Sequence, residues 1–192
     1  MQISSVNNHF LETTRLYQRN WQDGDRDFFH FINSDETVME FFSIRRDKKT
    51  SDKLMNSLRQ DITNRRFGLA ALVLKKTDEV IGFCGLTEAT AEGVFPQGTI
   101  EIGWRLAPQF WGNGYVTEMG KALIKFGFTE LKLDEILSFA VPENIRSTAV
   151  MKRIGMSPDP SRNFSHPQVT AAYPHLKQHV TYSIKRPKKA GA

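Results

Sequence analysis

With 192 residues, of which 40% are hydrophobic and 24% charged, the chain can bury a substantial core, and one globular domain over residues 1–185 is the economical arrangement. Its longest apolar run, Leu69 to Leu74, falls well short of a membrane span, the N-terminal MQISSVNNHFLETTR lacks the apolar core of a secretion signal, and Cys84 has no second cysteine to pair with, so a soluble, cytoplasmic protein is expected. The net charge of +5 suits an anionic partner, but zinc-finger spacing, RNP-like motifs and basic stripes interleaved with aromatics are lacking, so no specific nucleic-acid partner is expected.

Much of the positive excess lies in IRRDKKTSDK, around residues 44–53, and in the tail 186–192, which has almost nothing apolar to bury and reads as disordered. In chain order, HFLETTRLYQRN (9–20) reads as a first strand and DGDRDFFHFINSDETVMEFF (23–42) as one or two short helices. The aromatics of this second stretch suit a core, with some able to wall a substrate pocket. Leu54, Leu58 and Ile62 recur at helical spacing and make 51–66 an amphipathic helix. GLAALVLKK and EVIGFCGLTEA, joined at Thr77-Asp78, read as a hairpin, and GTIEIGWRLAP as a third strand closed by Pro108. Val116, Met119, Leu123 and Phe126 then mark a helix that starts near Gly112. EILSFAV (135–141) is a further strand, broken at Pro142 and followed by a helix with Asn144 as N-cap and Gly155 just past its end. HVTYSIK (179–185) is strand-like.

QFWGNGY, Gln109 to Tyr115, places two glycines where a helix begins. The first N–H groups of a helix have no intrahelical partner and carry partial positive charge, and glycine allows the backbone to approach a ligand without a Cβ in the way. An ordinary glycine-rich turn fits this short motif as well. The second strand–helix pair supports a cleft, because it puts two helix N-termini at the C-terminal ends of neighbouring strands, where open α/β sheets bind ligands.

Two motifs in this order resemble the GNAT (Gcn5-related) N-acetyltransferases, and the start LETTRLYQRNW (11–21) and centre EIGWRLAPQFWGNGY (101–115) resemble within them the ribosomal-protein N-terminal acetyltransferase branch. QFWGNGY is similar to the family's Arg/Gln-x-x-Gly-x-Gly/Ala acetyl-CoA motif, and NIRSTAVMKRIGM, Asn144 to Met156, to its Asn-x-x-Ser helix; the likeness covers roughly residues 11–157. It implies an α/β (α+β) GNAT fold, a mixed, mostly antiparallel sheet flanked by helices and splayed into a V between the third and fourth main strands. It also implies acetyl-CoA as co-substrate and no metal. The N–H groups of Trp111, Gly112, Asn113, Gly114 and Tyr115 would hold the pyrophosphate, aided by Gln109 and the Thr117 hydroxyl. Trp104 to Leu106 would pair with pantetheine amides, and Asn144 would reach pantetheine across the V. Met156 stands where the family usually has an aromatic, and no tyrosine lies in or just after the Asn144 helix to serve as acid.

Direct transfer to an amine needs a base, and Glu101, alternating with Ile100 and Ile102 on the central strand, is the candidate, with Glu88 in reserve. A strand carboxylate is also commonly just solvated. For the acid, Ser147 through water is a weak substitute, and protonation of a stabilised thiolate from solvent is the alternative. Cys84 reads as a small strand residue, because no histidine lies near it in sequence, and His175 and His179 lack the helix and the further ligands a metal needs. The acceptor expected is a primary amine, a peptide or protein N-terminal α-amine before a small molecule, on a monomer or homodimer without membrane attachment. A non-catalytic acyl-CoA-binding module is the reading of a different class.

Overall fold

The computed structural model describes residues 9–187. Its strands are β1 (His9–Glu12), β2 (Leu16–Arg19), β3 (Ala70–Leu74), β4 (Glu79–Glu88), β5 (Ile100–Leu106), β6 (Glu135–Ala140), β7 (Ser157–Pro158), β8 (Phe164–Ser165) and β9 (Gln178–Lys185). Its α-helices are α1 (Arg26–Ser34), α2 (Lys48–Arg65), α3 (Tyr115–Thr129) and α4 (Ile145–Arg153). The strands lie in the order β1-β2-β3-β4-β5-β6-β9-β7, with β8 beside β9. Every neighbouring pair is antiparallel except β5–β6. None of the described helices is long and apolar enough to cross a membrane.

The segment 9–20 is a hairpin, β1–β2, instead of one strand: Thr13-Thr14-Arg15 reverse the chain, and the Thr13 N–H donates to the Leu16 carbonyl at 2.9 Å. The aromatic stretch 23–42 contributes one α-helix, α1, after a 3-10 turn at Asp23–Asp25; beyond Ser34 the chain turns, with the Asp35 carboxylate accepting the Val38 N–H at 2.9 Å. Helix α2 starts three residues earlier than its apolar spacing predicts, because Asp47 caps it by accepting the Thr50 N–H at 2.7 Å. Of the tail 186–192, residues 188–192 lie outside the described residues, and with them most of the expectation of disorder.

Two hydrophobic clusters face each other across the sheet. Ile102 and Leu106 of β5 join Met119 and Leu123 of α3 and Met151 of α4 in one; Phe29 and Ile32 of α1 join Met55 and Ile62 of α2 in the other. A shift of register opposite Leu72–Val73 leaves Ile81 unpaired as a bulge. That extra residue lets Ile81 face the α3/α4 cluster while Val80 and Phe83 face α1/α2. Phe83 pairs with Arg105, and Cys84 with Trp104, so the pairing carries this division onto β5. Glu101, Gly103 and Arg105 therefore share the α1/α2 face, and Ile102, Trp104 and Leu106 the other.

Candidate active site

Strands β5 and β6 run parallel and register only at Glu101 and Leu137. Past that point the sheet is open, as a splay between these two strands requires. A cleft of about 460 Å³ follows the gap and reaches both faces of the sheet. Trp104, Asn144, Ser147 and Met151 line it from the α3/α4 side; Glu101, Arg105, Arg46 and Leu54 line it from the α1/α2 side.

The open edge of β5 is narrower than its length suggests. The Ser138 hydroxyl donates to the Ile102 carbonyl at 2.9 Å, which fixes that carbonyl as pointing toward β6. By strand alternation the backbone groups of Trp104 and Leu106 point the same way. The Leu106 carbonyl is taken by the Trp111 indole N–H at 2.8 Å, and the Leu106 side chain is buried in the core. Trp104 thus keeps both an N–H and a carbonyl on this edge, whereas Leu106 has only its N–H to offer.

At the head of α3, Gly112 and Gly114 hold positive φ, +77° and +75°, the left-handed conformation that glycine adopts without a Cβ penalty. A Cβ on Gly112 would meet no atom within 4 Å: it would project into the open space in front of the helix N-terminus. The N–H groups of Gly112, Asn113 and Gly114 have no partner among the described residues, whereas the Trp111 N–H, expected to join them, is taken by the Pro108 carbonyl at 3.0 Å as the 3-10 turn closes. The Asn113 side chain turns back to the Trp111 carbonyl at 3.0 Å and leaves the front of the turn clear. The helix itself begins at Tyr115, with Gly114 as its cap, three residues later than the apolar spacing predicts. This cradle fits a diphosphate. Gln109 lies exposed on the preceding 3-10 turn, and Thr117 is half-buried in the first turn of α3.

Arg15, which sequence reasoning passed over, braces the cradle from the β1–β2 hairpin. Its guanidinium donates to the Asn113 carbonyl at 3.1 Å, pairs with Glu118 at 2.6 Å and lies 4.7 Å from the centre of the Tyr115 ring. Partial burial works to raise the Glu118 carboxyl, but hydrogen bonds from Thr13 and Arg15 outweigh it and hold the group below the usual carboxylate range. No local pattern in the sequence reveals this link, because its ends lie about a hundred residues apart.

On the opposite wall Asn144 caps α4 by accepting the Ser147 N–H at 3.1 Å, which puts both side chains at the mouth of the gap. Glu101 lies at the root of the V. Burial pushes its carboxyl up to about 7, against weaker opposing hydrogen bonds from Thr90, whose hydroxyl is 3.4 Å away. Glu88 is different: it lies at the surface in an ion pair with Arg65 at 2.7 Å and does not line the cleft. A far wall consists of Phe139, His166 and His179, the two imidazoles 4.9 Å apart. Burial, and then repulsion from His166, pushes His179 down to about 4, and burial, with Lys177 nearby, also lowers His166. His175 sits apart on a 3-10 turn, and among the described residues no three potential metal ligands cluster.

Cys84 is fully buried on the α3/α4 face, and burial pushes its thiol up to about 12, so it is no nucleophile at neutral pH. Cys84→Ala is expected to leave turnover within about twofold while costing about 1 kcal/mol of stability through the small cavity it leaves. Steady-state rates and a denaturant titration check both, and acetate found on Cys84 by mass spectrometry would contradict the first.

Residues 15–157 match the acetyltransferase (GNAT) domain family. A curated relative, the uncharacterized N-acetyltransferase p20 of Bacillus licheniformis, is 32% identical over 149 residues, covering 75% of this chain and 80% of that protein. Among solved structures, a GNAT-family acetyltransferase of Bacillus anthracis superposes with a TM-score of 0.74 at 24% identity, covering 91% of this chain and 97% of the other. The RimL ribosomal L7/L12 alpha-N-protein acetyltransferase, solved with coenzyme A, gives 0.72 at 12% identity, with 92% and 97% covered. Since the family match takes in more than half of the chain and coincides with the splayed sheet and both motif helices, this protein belongs to the GNAT acetyltransferases and is an acyltransferase.

Proposed function

We propose that the protein transfers the acetyl group of acetyl-CoA directly to a primary amine, with an N-terminal α-amine of a peptide or protein as the acceptor class. The observation that carries this reading is Glu101, a carboxyl held near neutrality at the root of a cleft that has a phosphate cradle on one side. Bound acetyl-CoA supplies an activated thioester and a thiolate leaving group. The open N–H groups of Gly112 to Gly114 bind the diphosphate, and Trp104 and Asn144 orient the pantetheine arm from the two walls of the V. The Trp104 N–H polarises the thioester carbonyl.

Glu101 accepts the proton of the attacking amine, directly or through one water, as the new C–N bond forms and the C–S bond breaks. An α-amine titrates near pH 8, about two units below lysine, and so matches a base of about 7 far better. The departing thiolate takes its proton from water, with the half-buried Ser147 hydroxyl on the adjacent wall able to relay it. The structural likeness to an alpha-N-protein acetyltransferase supports the acceptor class. Incubation with acetyl-CoA and three acceptor pools, N-terminal peptides, polyamines and aminoglycosides, should release free thiol with the peptides first. Turnover of a small polyamine with peptides untouched would contradict the acceptor class while leaving acetyl transfer intact.

A further inference from the structure

Arg105 is the central residue of an unbalanced site. It stands on the same face of β5 as Glu101, with Gly103 between them contributing no side chain, and all three line the cleft. Four residues of strand separate the two charges by about 13 Å at the backbone. The guanidinium lies 4.4 Å from the centre of the Phe42 ring and 5.2 Å from that of Phe83. One of its nitrogens donates to the neutral Asn33 carbonyl oxygen at 2.6 Å, and its Nε–H is buried with no hydrogen-bond partner.

No carboxylate answers this charge. Among the described residues Arg45, Arg46, Arg66, Arg105 and Arg153 form no ion pair, whereas the other eight arginines do; of these five, Arg46 and Arg105 line the cleft. Arg46 lines the same cleft, and the Arg45 guanidinium spends its hydrogen bonds on the carbonyls of Phe42 and Ile44. Burial lowers Arg105 to about 9, and the charges of Arg46 and Arg45 push it the same way. The Asn33 oxygen and the two rings answer this charge only in part: an anion is absent and the buried Nε–H has no acceptor.

We propose that Arg105, with Arg46, binds a carboxylate carried by the acceptor close to its amine, so that the substrate is an amino-carboxylate compound held with its amine toward Glu101 and its anion toward Arg105. The inference rests on the amine-acetyltransferase reading above. The carboxylate is either the free α-carboxylate of an amino acid or the side chain of an acidic residue at a peptide N-terminus; the guanidinium fork recognises both alike. Glu101 and Arg105 then act as a two-point gauge: an acceptor is productive when one group reaches each of them, and a polycation meets repulsion at Arg105 and Arg46.

Matched acceptor pairs test this: amino acids against their amides, and peptide amides beginning with Asp or Glu against those beginning with Asn or Gln. The wild-type protein should favour the carboxylate member of at least one pair by about 10- to 100-fold in kcat/KM, and the pair that responds identifies the source of the anion. In Arg105→Gln and, separately, Arg46→Gln, the ratio of kcat/KM between the carboxylate member and its uncharged partner should shrink at least tenfold, through the KM of the carboxylate member, whatever happens to the turnover that both members share. Calorimetric titration of the CoA-loaded protein with each pair reads the same preference without catalysis, so the outcome does not depend on turnover. Equal binding and equal turnover of both members overturn the anion site even if amines are acetylated. Failure to acetylate any amine, with selective carboxylate binding intact, instead counts against the acetyl-transfer reading alone.

Discussion

Gly112→Val should weaken acetyl-CoA binding by about 2–4 kcal/mol, roughly 30- to 1000-fold, with the fold intact. Two effects add. At φ +77° a β-branched residue is strained by about 1–2 kcal/mol, and the turn can relieve that strain only by rotating its N–H groups out of register with the ligand. The new side chain also enters the open space that a phosphate would fill, where nothing of the protein stands in its way and nothing compensates for its intrusion. Because the Gly112 Cβ position touches no other part of the chain, stability should fall only by the backbone strain. Calorimetry with acetyl-CoA and a thermal melt separate the two; unchanged affinity in the folded variant would remove the cradle from the account.

Glu101→Gln should lower turnover by about 10²- to 10⁴-fold at pH 7 while acetyl-CoA affinity changes by less than about threefold. The amide keeps the size and the hydrogen-bond contact with Thr90 but cannot take a proton. It also removes a burial penalty, so the variant should be no less stable than the parent. Glu88→Gln is the control: its carboxylate sits at the surface with Arg65, outside the cleft, and its loss should leave turnover within about twofold. A larger effect at Glu88 than at Glu101 would reassign the base.

What was legible in the sequence was what repeats locally. The apolar spacing of Val116, Met119 and Leu123 marked α3, and the Asn144 cap with Gly155 beyond bracketed α4. Alternation about Glu101 placed it on the face opposite Ile102, which pairing with β4 bears out. Boundaries set by single side chains were missed: Asp47 extends α2, and Gly112 to Gly114 form the turn before α3 instead of its first residues. The first hairpin escaped because Thr13 to Arg15 contain neither Gly nor Pro, so its reversal rests on one hydrogen bond and on pairing with β3. Long-range chemistry was silent altogether. Arg15 reaches the cradle, and Arg105 lacks an acid, only once distant segments pack together; no spacing rule records an ion pair that is not made.

The most direct test of the central claim is the pH dependence of kcat/KM for the acceptor, measured with two amines of different pKa. Burial raises the Glu101 carboxyl to about 7, so the free enzyme should lose activity about tenfold per pH unit below that value as the base becomes protonated. The bend near 7 should stay in place when the amine is exchanged, whereas any bend belonging to the acceptor should move with it. It should vanish in Glu101→Gln. A profile whose every bend follows the amine, or a bend near 7 that survives in Glu101→Gln, would contradict proton abstraction by Glu101.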